Sequence, residues 1–223
     1  MKERPILFND PMVCAITDGR KTQTRRLVKP QPYCIAHPQP IGEKWHVAYS
    51  SEAWGIYDTY AEMFDEYRRL IKCPYGKVGD RLWVREEWGA KWEGSEKWVE
   101  NAGSNQDGSQ PIAYRASGDT AFRDFWKPSS SMPRWASRIT LEIVAVRIER
   151  LQDISEADAL AEGAGQVEYG FTNNPETIHK ARARTHFRYI WDSIYRKKEG
   201  AKWESNPFVW VIEFKRLETA AKV

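Results

Sequence analysis

The densest polar run in the chain is Gly19-Arg20-Lys21-Thr22-Gln23-Thr24-Arg25-Arg26, which sets four cations and two hydroxyls within seven residues. Cations of this kind contact phosphates or stabilise an oxyanion. A hydroxyl among them hydrogen-bonds a base edge or, beside a base, becomes a nucleophile. The plain alternative is a solvated edge strand whose basic residues discourage aggregation. In a strand, Thr22, Thr24 and Arg26 share one face and Gln23 and Arg25 the other. Lys21 and Thr24 then diverge, unless Lys21 sits in the turn after Gly19. A second polar cluster runs from Ile154 to Gly163. Ser155 and Asp158 start it like a capping box, and its early acids suit a helix dipole. Glu162 stands at the other end, where the dipole disfavours a negative charge, so either a cation compensates it or it has a task.

Other residues carry weaker signals. Arg134, Trp135 and Arg138 follow a Ser/Pro-rich loop, and a Trp between two Arg suits base stacking beside a phosphate clamp. A core Trp with flanking surface charge is the alternative. Arg85 and Glu86, beside Trp83 and Trp88, either line the same mouth or form a structural ion pair. Residues 178–198 carry seven Lys/Arg against Asp192 alone, which reads as a phosphate-facing surface or as a solvated helix face. Cys34, His37, His46 and Cys73 are the only plausible metal set, and the second pair is scattered, so no metal is expected. His179 and His186 share a helical face without a carboxylate cluster. There is no Ser-His-Asp order, phosphate-binding glycine loop or dinucleotide fingerprint, and no cofactor is expected.

These residues need elements to hold them. Pro5 to Phe8 reads as a short strand, followed by a helix with Asp10 as cap, Pro11 at its first position and Gly19 after its end. Thr22 to Val28 reads as a strand, and Tyr57 to Ile71 has helical spacing. Asp80 to Trp88 alternates, with Leu82, Val84, Glu86 and Trp88 on one face. Ile139 to Leu151 is a long strand, expected to bend or bulge near Val144-Ala145-Val146. Ser155 caps a helix to Glu162, and Gly163 ends it. His179 to Lys197 is the longest predicted helix, with Ala183, Phe187, Ile190, Trp191 and Ile194 on one face. Phe208 to Leu217 is the final strand. This order lacks the alternation of a doubly wound sheet and suits a small, mostly antiparallel barrel with helices outside it.

The 223-residue chain has room for one large domain, and we expect a single one over 1–223 with two long insertions, at about 29–78 and 89–133. No apolar run approaches a membrane span, mean hydropathy is -0.68, and the N-terminus does not look like a signal peptide. A membrane protein is excluded, and a cytoplasmic location is expected. Three cysteines argue against a disulfide framework. A net charge of +3 neither demands nor excludes nucleic acid. The 11 Trp are more numerous than usual and suit a core and base-binding sites alike.

Together the two polar clusters resemble the ASCH family of the PUA-like superfamily. The resemblance rests on Gly19, Lys21, Thr24 and Arg26 in a Gly-x-Lys-x-x-Thr-x-Arg pattern after the first helix. A short acidic helix follows later, and a hydrophobic final strand, Val211-Ile212-Glu213-Phe214, would close the barrel. Gly19 to Arg26 is similar to the corresponding segment of the small bacterial N4-acetylcytidine amidohydrolases. Nearly the whole chain resembles ASCH proteins of tailed phages and prophages, through Met1 to Phe8, Cys73 to Gly76, Gly79 to Glu86 and Met132 to Ile139. The resemblance implies an α+β, PUA-like β-barrel in the cytoplasm of a bacterial host. It implies Lys21, Thr24 and Glu162 as catalytic residues acting on a nucleoside or nucleic acid, RNA ahead of DNA, and by residue type Arg25, Arg26, Arg85, Glu86, Arg134, Trp135 and Arg138 are the residues expected around that ligand. In such a cleft a neutral Lys21 would take the Thr24 proton, or a charged Lys21 would stabilise an oxyanion while Glu162 activates water. The activity implied is amide hydrolysis of an N4-acylated cytosine without a metal. Two alternatives stand beside it: a non-catalytic reader of RNA, DNA or modified bases, and a phage accessory protein that binds a host protein through the Trp-rich insertions.

Overall fold

The computed structural model describes residues 1–31, 71–90, 112–119, 125–165 and 182–217, and the backbone of short strands at 33–34, 45–48, 54–57, 167–169 and 179–181. The chain opens with β1 (Glu3–Leu7) and α1 (Asp10–Thr17). The N-cap is Asn9, one residue before the expected Asp10: its side chain accepts from the Met12 amide at 3.2 Å, which leaves Asp10 as the acid of the first turn. Gly19 then turns the chain with φ +74°, a conformation that glycine adopts without strain, and β2 follows at Gln23–Leu27.

Three strands, β3 (Tyr33–Cys34), β4 (Trp45–Ala48) and β5 (Trp54–Tyr57), make a small antiparallel sheet inside the first insertion. The helix expected from Tyr57 to Ile71 lies outside the described residues, apart from its two ends. β6 (Arg81–Arg85) and β7 (Trp88–Ala90) divide the single strand expected there, and β7 pairs with β8 (Ile112–Tyr114). The expected alternation holds across the break, because Leu82, Val84, Glu86 and Trp88 are all buried. β9 (Thr140–Arg150) comes next, then α2 (Glu156–Ala161), with Ser155 and Asp158 closing a full capping box. β10 (Val167–Tyr169) pairs with β11 (His179–Ala181), so the predicted long helix begins later, as α3 (Ala183–Tyr195). Its first three positions are taken by a ladder. β12 (Phe208–Leu217) ends the described chain.

The principal sheet has the order β1-β6-β9-β12-β2, with β1 parallel to β6 and the other three ladders antiparallel. The register of β9 on β12 shifts at Glu213/Phe214, where Val144 is the extra residue, inside the segment expected to bulge. One face of the sheet carries Leu82, Val84, Leu141, Ile143, Trp210, Ile212 and Phe214, packed with Phe8, Val13 and Ile16. The other face carries Val209 and Val211 against Ala159 of α2 and Ala183, Phe187 and Trp191 of α3. The spacing of these three α3 residues places them on one helical stripe.

The fold is α+β, as expected, but the sheet is open rather than a closed barrel. Among the described residues, no ladder joins β2 to β1. The two edges approach through a side chain instead: Arg26 Nη2 donates to the Leu7 carbonyl at 2.6 Å, and its guanidinium lies 5.1 Å from the centre of the Phe8 ring. The chain between them is spent on α1, whose Val13 and Ile16 enter the core. No described helix is long and apolar enough to cross a membrane.

Asp80 fastens the N-terminal strand to the sheet. Its carboxylate accepts from the Lys2 amide at 2.8 Å, from Arg4 Nη1 at 3.0 Å and from the Lys77 amide at 3.3 Å. The Lys2 N–H and the Arg4 guanidinium hold its pKa down to about 2. A depressed carboxylate stabilises the fold above its unfolded pKa, and that contribution fades as the pH falls through the folded value. We therefore expect Asp80→Asn to lower the urea midpoint at about pH 6, with the gap to wild type closing as the pH falls from about 4 to about 2. A gap that stays constant over that range would exclude this role.

Candidate functional site

The end of α2 and the start of β2 meet edge to edge. The last turn of a helix leaves carbonyls without intrahelical partners. Here the Thr22 amide donates to the Ala161 carbonyl at 2.8 Å, and Lys21 Nζ donates to the Glu162 carbonyl at 2.8 Å. Gly163 makes the approach possible. It has φ +85°, and a Cβ there would stand 2.9 Å from that of Ala15 and 3.4 Å from that of Lys21. Lys21 sits in the turn after Gly19, its amide bonded to the Ala15 carbonyl at 2.9 Å, but its amine bonds Glu162 and makes no hydrogen bond to the Thr24 hydroxyl.

Lys21 Nζ also lies 2.6 Å from Glu162 Oε2, and the two side chains are 0% and 4% exposed. Arg25, whose side chain is likewise 0% exposed, reaches the other oxygen of the same carboxylate, Nη1 to Oε1 at 3.3 Å. Both oxygens of Glu162 are thus held by cations, and the unfavourable position at the helix end is compensated. Burial pushes the pKa of Lys21 down. Glu162 pulls it back up, Arg26 and Arg25 add to the depression, and the net direction is downward.

Behind this pair stands a layer of alternating charge on the α2/α3 face of the sheet. Arg25 donates to Glu149 Oε1 from Nε at 2.9 Å and from Nη2 at 2.5 Å, and it lies 3.5 Å from Asp158 Oδ2. Arg147 joins Glu149 at 3.2 Å and Asp158 at 3.4 Å, and also bonds Glu213. Gln23 Nε2 donates to the Asp158 carbonyl at 2.8 Å and to its side chain at 3.1 Å. The register explains the convergence. Gln23 faces Glu213, Arg25 faces Val211, and Val211 faces Arg147, so one row of residues runs across three strands.

Thr24 and Arg26 point to the opposite face of β2, opposite Ile212 and Trp210. Thr24 is buried, and among the described residues its hydroxyl has no hydrogen-bond partner. Arg26 and Lys21 approach the same Phe8 ring, at 5.1 and 5.6 Å from its centre. Tyr195, at the end of α3, sits within electrostatic reach of Arg26 and Glu162, its hydroxyl pKa raised by burial.

The remaining candidates are arranged elsewhere. Glu86 and Arg138 form a two-point ion pair at 2.9 and 2.8 Å, and the Arg138 guanidinium stacks 4.0 Å from the Tyr114 ring centre. Arg134 pairs with Glu3 at 2.9 Å, and Arg134 and Arg85 flank Trp83. Arg85 bonds the Ser130 carbonyl. Trp135 packs edge-on against Trp88 at 6.0 Å. None of the five has a described contact with Lys21 or Glu162. Of the suggested metal set, Cys73 is a free, partly buried thiol whose pKa burial raises; Cys34 and His46 are described only as backbone, and His37 lies outside the described residues. Among the described residues, no three His, Cys, Asp or Glu gather into a metal-binding group.

Sequence reasoning missed Gln23, Arg147, Glu149, Asp158 as a tie to β2, and Glu213. Their alternation along each strand was visible, but the strand register that gathers them was not. Comparison of the chain with protein-family models, with curated proteins and with solved structures returned no match.

The two partners of the buried pair differ in what they leave behind. Without Lys21, Glu162 keeps Arg25. Without Glu162, the Lys21 ammonium keeps no carboxylate among its hydrogen-bond partners. Glu162→Gln is expected to cost about 3 kcal/mol at about pH 6, and Lys21→Met less. The Glu162→Gln penalty shrinks at alkaline pH, because the orphaned amine sheds its proton. Urea denaturation across pH measures both. Equal penalties that ignore pH would refute the asymmetry.

Proposed function

We propose that the protein is an ASCH-type amidohydrolase that removes the acyl group from N4-acylated cytosine nucleosides. The observation that carries the reading is the water-excluded contact between Lys21 and Glu162, with the Lys21 pKa pushed down. Desolvation disfavours the charged form of Lys21, so its amine gives up a proton more readily than an exposed lysine and is better placed to act as a base. Lys21 spends two hydrogens on Glu162, one on the carbonyl and one on Oε2. A neutral amine has two hydrogens and one lone pair. The two bonds therefore leave the lone pair as the free position, or a third N–H when Lys21 is charged. Glu162, with both oxygens occupied by cations, is better suited to orient Lys21 than to activate water.

On this reading the Thr24 hydroxyl passes its proton to Lys21, and its oxygen forms a bond to the acyl carbon. The bond from that carbon to N4 breaks, with Lys21 returning the proton to the departing nitrogen. Water then cleaves the threonine ester, releasing the carboxylate and restoring the hydroxyl. No step requires a metal.

The nucleic-acid reading draws less support. Phosphate recognition needs cations with uncommitted donors facing solvent. Arg25 and Arg138 are turned onto the inner carboxylates of Glu149 and Glu86, and Arg134 is held at the surface by Glu3. This favours a free nucleoside over a polymer.

Incubation with N4-acetylcytidine, followed by chromatography, is expected to show cytidine release by the wild type. Thr24→Val, which keeps the side chain's shape, and Lys21→Met are each expected to reduce the rate by about 100-fold or more. Absence of cytidine from a folded wild type would overturn the reading. Full activity in Thr24→Val would remove the threonine from the mechanism.

A further inference from the structure

Arg25 lies outside the short motif on which the functional reading rests, yet its guanidinium is fully buried. It spans three carboxylates from two elements: Glu149 on β9, and Asp158 and Glu162 at the two ends of α2. Phe187 of α3 covers it at 5.9 Å. A cation in such a place needs every donor used. Three of its nitrogens hydrogen-bond carboxylates, the longest of these bonds, 3.3 Å, being the one to Glu162, with Asp158 further off at 3.5 Å. Glu162 in turn gives Lys21 its shortest contact, 2.6 Å. The chain of charge therefore runs Glu149, Arg25, Glu162, Lys21 in order, with alternating sign.

We propose that Arg25 is a positioning residue that clamps Glu162 Oε1, so that the other carboxylate oxygen meets Lys21, and that Glu149 sets how much of the Arg25 charge is left for Glu162. The inference rests on the Lys21–Glu162 reading of the site, but its physical content does not require turnover. Arg25 acts on the amine twice in the same direction. Its charge repels the ammonium, and its hold on Glu162 weakens the pull of that carboxylate on Lys21. Glu149 opposes both effects by neutralising Arg25. Among the described residues, the other charged or titratable groups near the amine or its carboxylate are Arg26 on the Phe8 side and, beside Glu162, Tyr195 from α3. Around Arg25 they are Asp158 and, through Glu149, Arg147 with Glu213. These stay in place in the variants below.

The test follows the Lys21 side-chain resonances (13Cε and 15Nζ) through a pH titration, with assignment by their loss in Lys21→Arg. Arg25→Met is expected to raise the Lys21 midpoint by about one pH unit or more, and Glu149→Gln to lower it. A buried residue that only supports packing would move neither in this signed way. Unmoved midpoints in both variants, or shifts of the same sign, would overturn the proposal. Should Arg25→Met not fold, Glu149→Gln decides alone: a downward shift supports the clamp, and no shift or an upward one refutes it. The acid limb of the pH–rate profile on N4-acetylcytidine is expected to move with the midpoint. If the wild type does not turn over that substrate, the amidohydrolase reading falls, while the titration still decides the role of Arg25.

Discussion

An ammonium removed from water is among the most expensive things a fold can hold, and Lys21 is held with none of its side chain exposed. Much of the local architecture follows from that constraint. The charge has to meet acceptors, and the end of a helix supplies two kinds at once: unpaired carbonyls and the negative pole of the dipole. The Glu162 carboxylate, badly placed for α2 alone, becomes the third. Gly163 removes the one Cβ that would keep the two segments apart. The capping box at Ser155 fixes the other end of a helix only six residues long, so that its last turn arrives in a defined place.

β2 divides its side chains between two environments. Gln23 and Arg25 enter the charged layer beneath α2 and α3, whereas Thr24 and Arg26 enter the side lined by Phe8, Ile212 and Trp210. Lys21, two residues before the strand, belongs to neither set and bridges them: its amine touches Glu162 while standing over Phe8. Strand β12, between β9 and β2, makes this possible, because of its seven residues Phe208 to Phe214 all but Glu213 are buried. A strand packed on both faces is a rigid reference on which β2 and β9 are both registered, so Arg25 and Glu149 meet without depending on a loop.

The local devices of this fold were legible, and the long-range ones were not. The strand at 208–217, the helix stop at Gly163, the bulge near Val144 and the inward row Leu82, Val84, Glu86 and Trp88 all follow from spacing and residue type. The question posed by Glu162 was also legible, since a carboxylate at a helix C-terminus demands a cation. The answer involves two cations 137 and 141 residues away in the chain. Nothing in a single sequence gives the register that delivers them. Barrel closure failed for a related reason. Alternation shows that a strand has an inner face, but not whether its free edge finds a partner. Here α1 occupies the connection, and Arg26 reaches Leu7 where a ladder was expected. The helix expected from His179 began late because its first turn pairs as a strand with Val167–Tyr169.

The excess of basic residues also means something different once the partners are known. A net charge of +3 with a dense Arg/Lys run reads, in one dimension, as a surface for phosphates. In three dimensions the run is split. Arg20 remains at the surface with Asp18, Arg25 is neutralised inside by Glu149, and Lys21 by Glu162. Charges paired this closely cancel within a few ångströms and project little field into solvent, where the screening length is about 8 Å. What they create instead is a strong, fixed field inside the protein, where the dielectric response is low and an amine is sensitive to each neighbour. Arg26, the fourth cation of the run, is held by the Leu7 carbonyl and the Phe8 ring instead. That arrangement suits the control of protonation at one nitrogen, which is the property that the proposed chemistry at Lys21 requires.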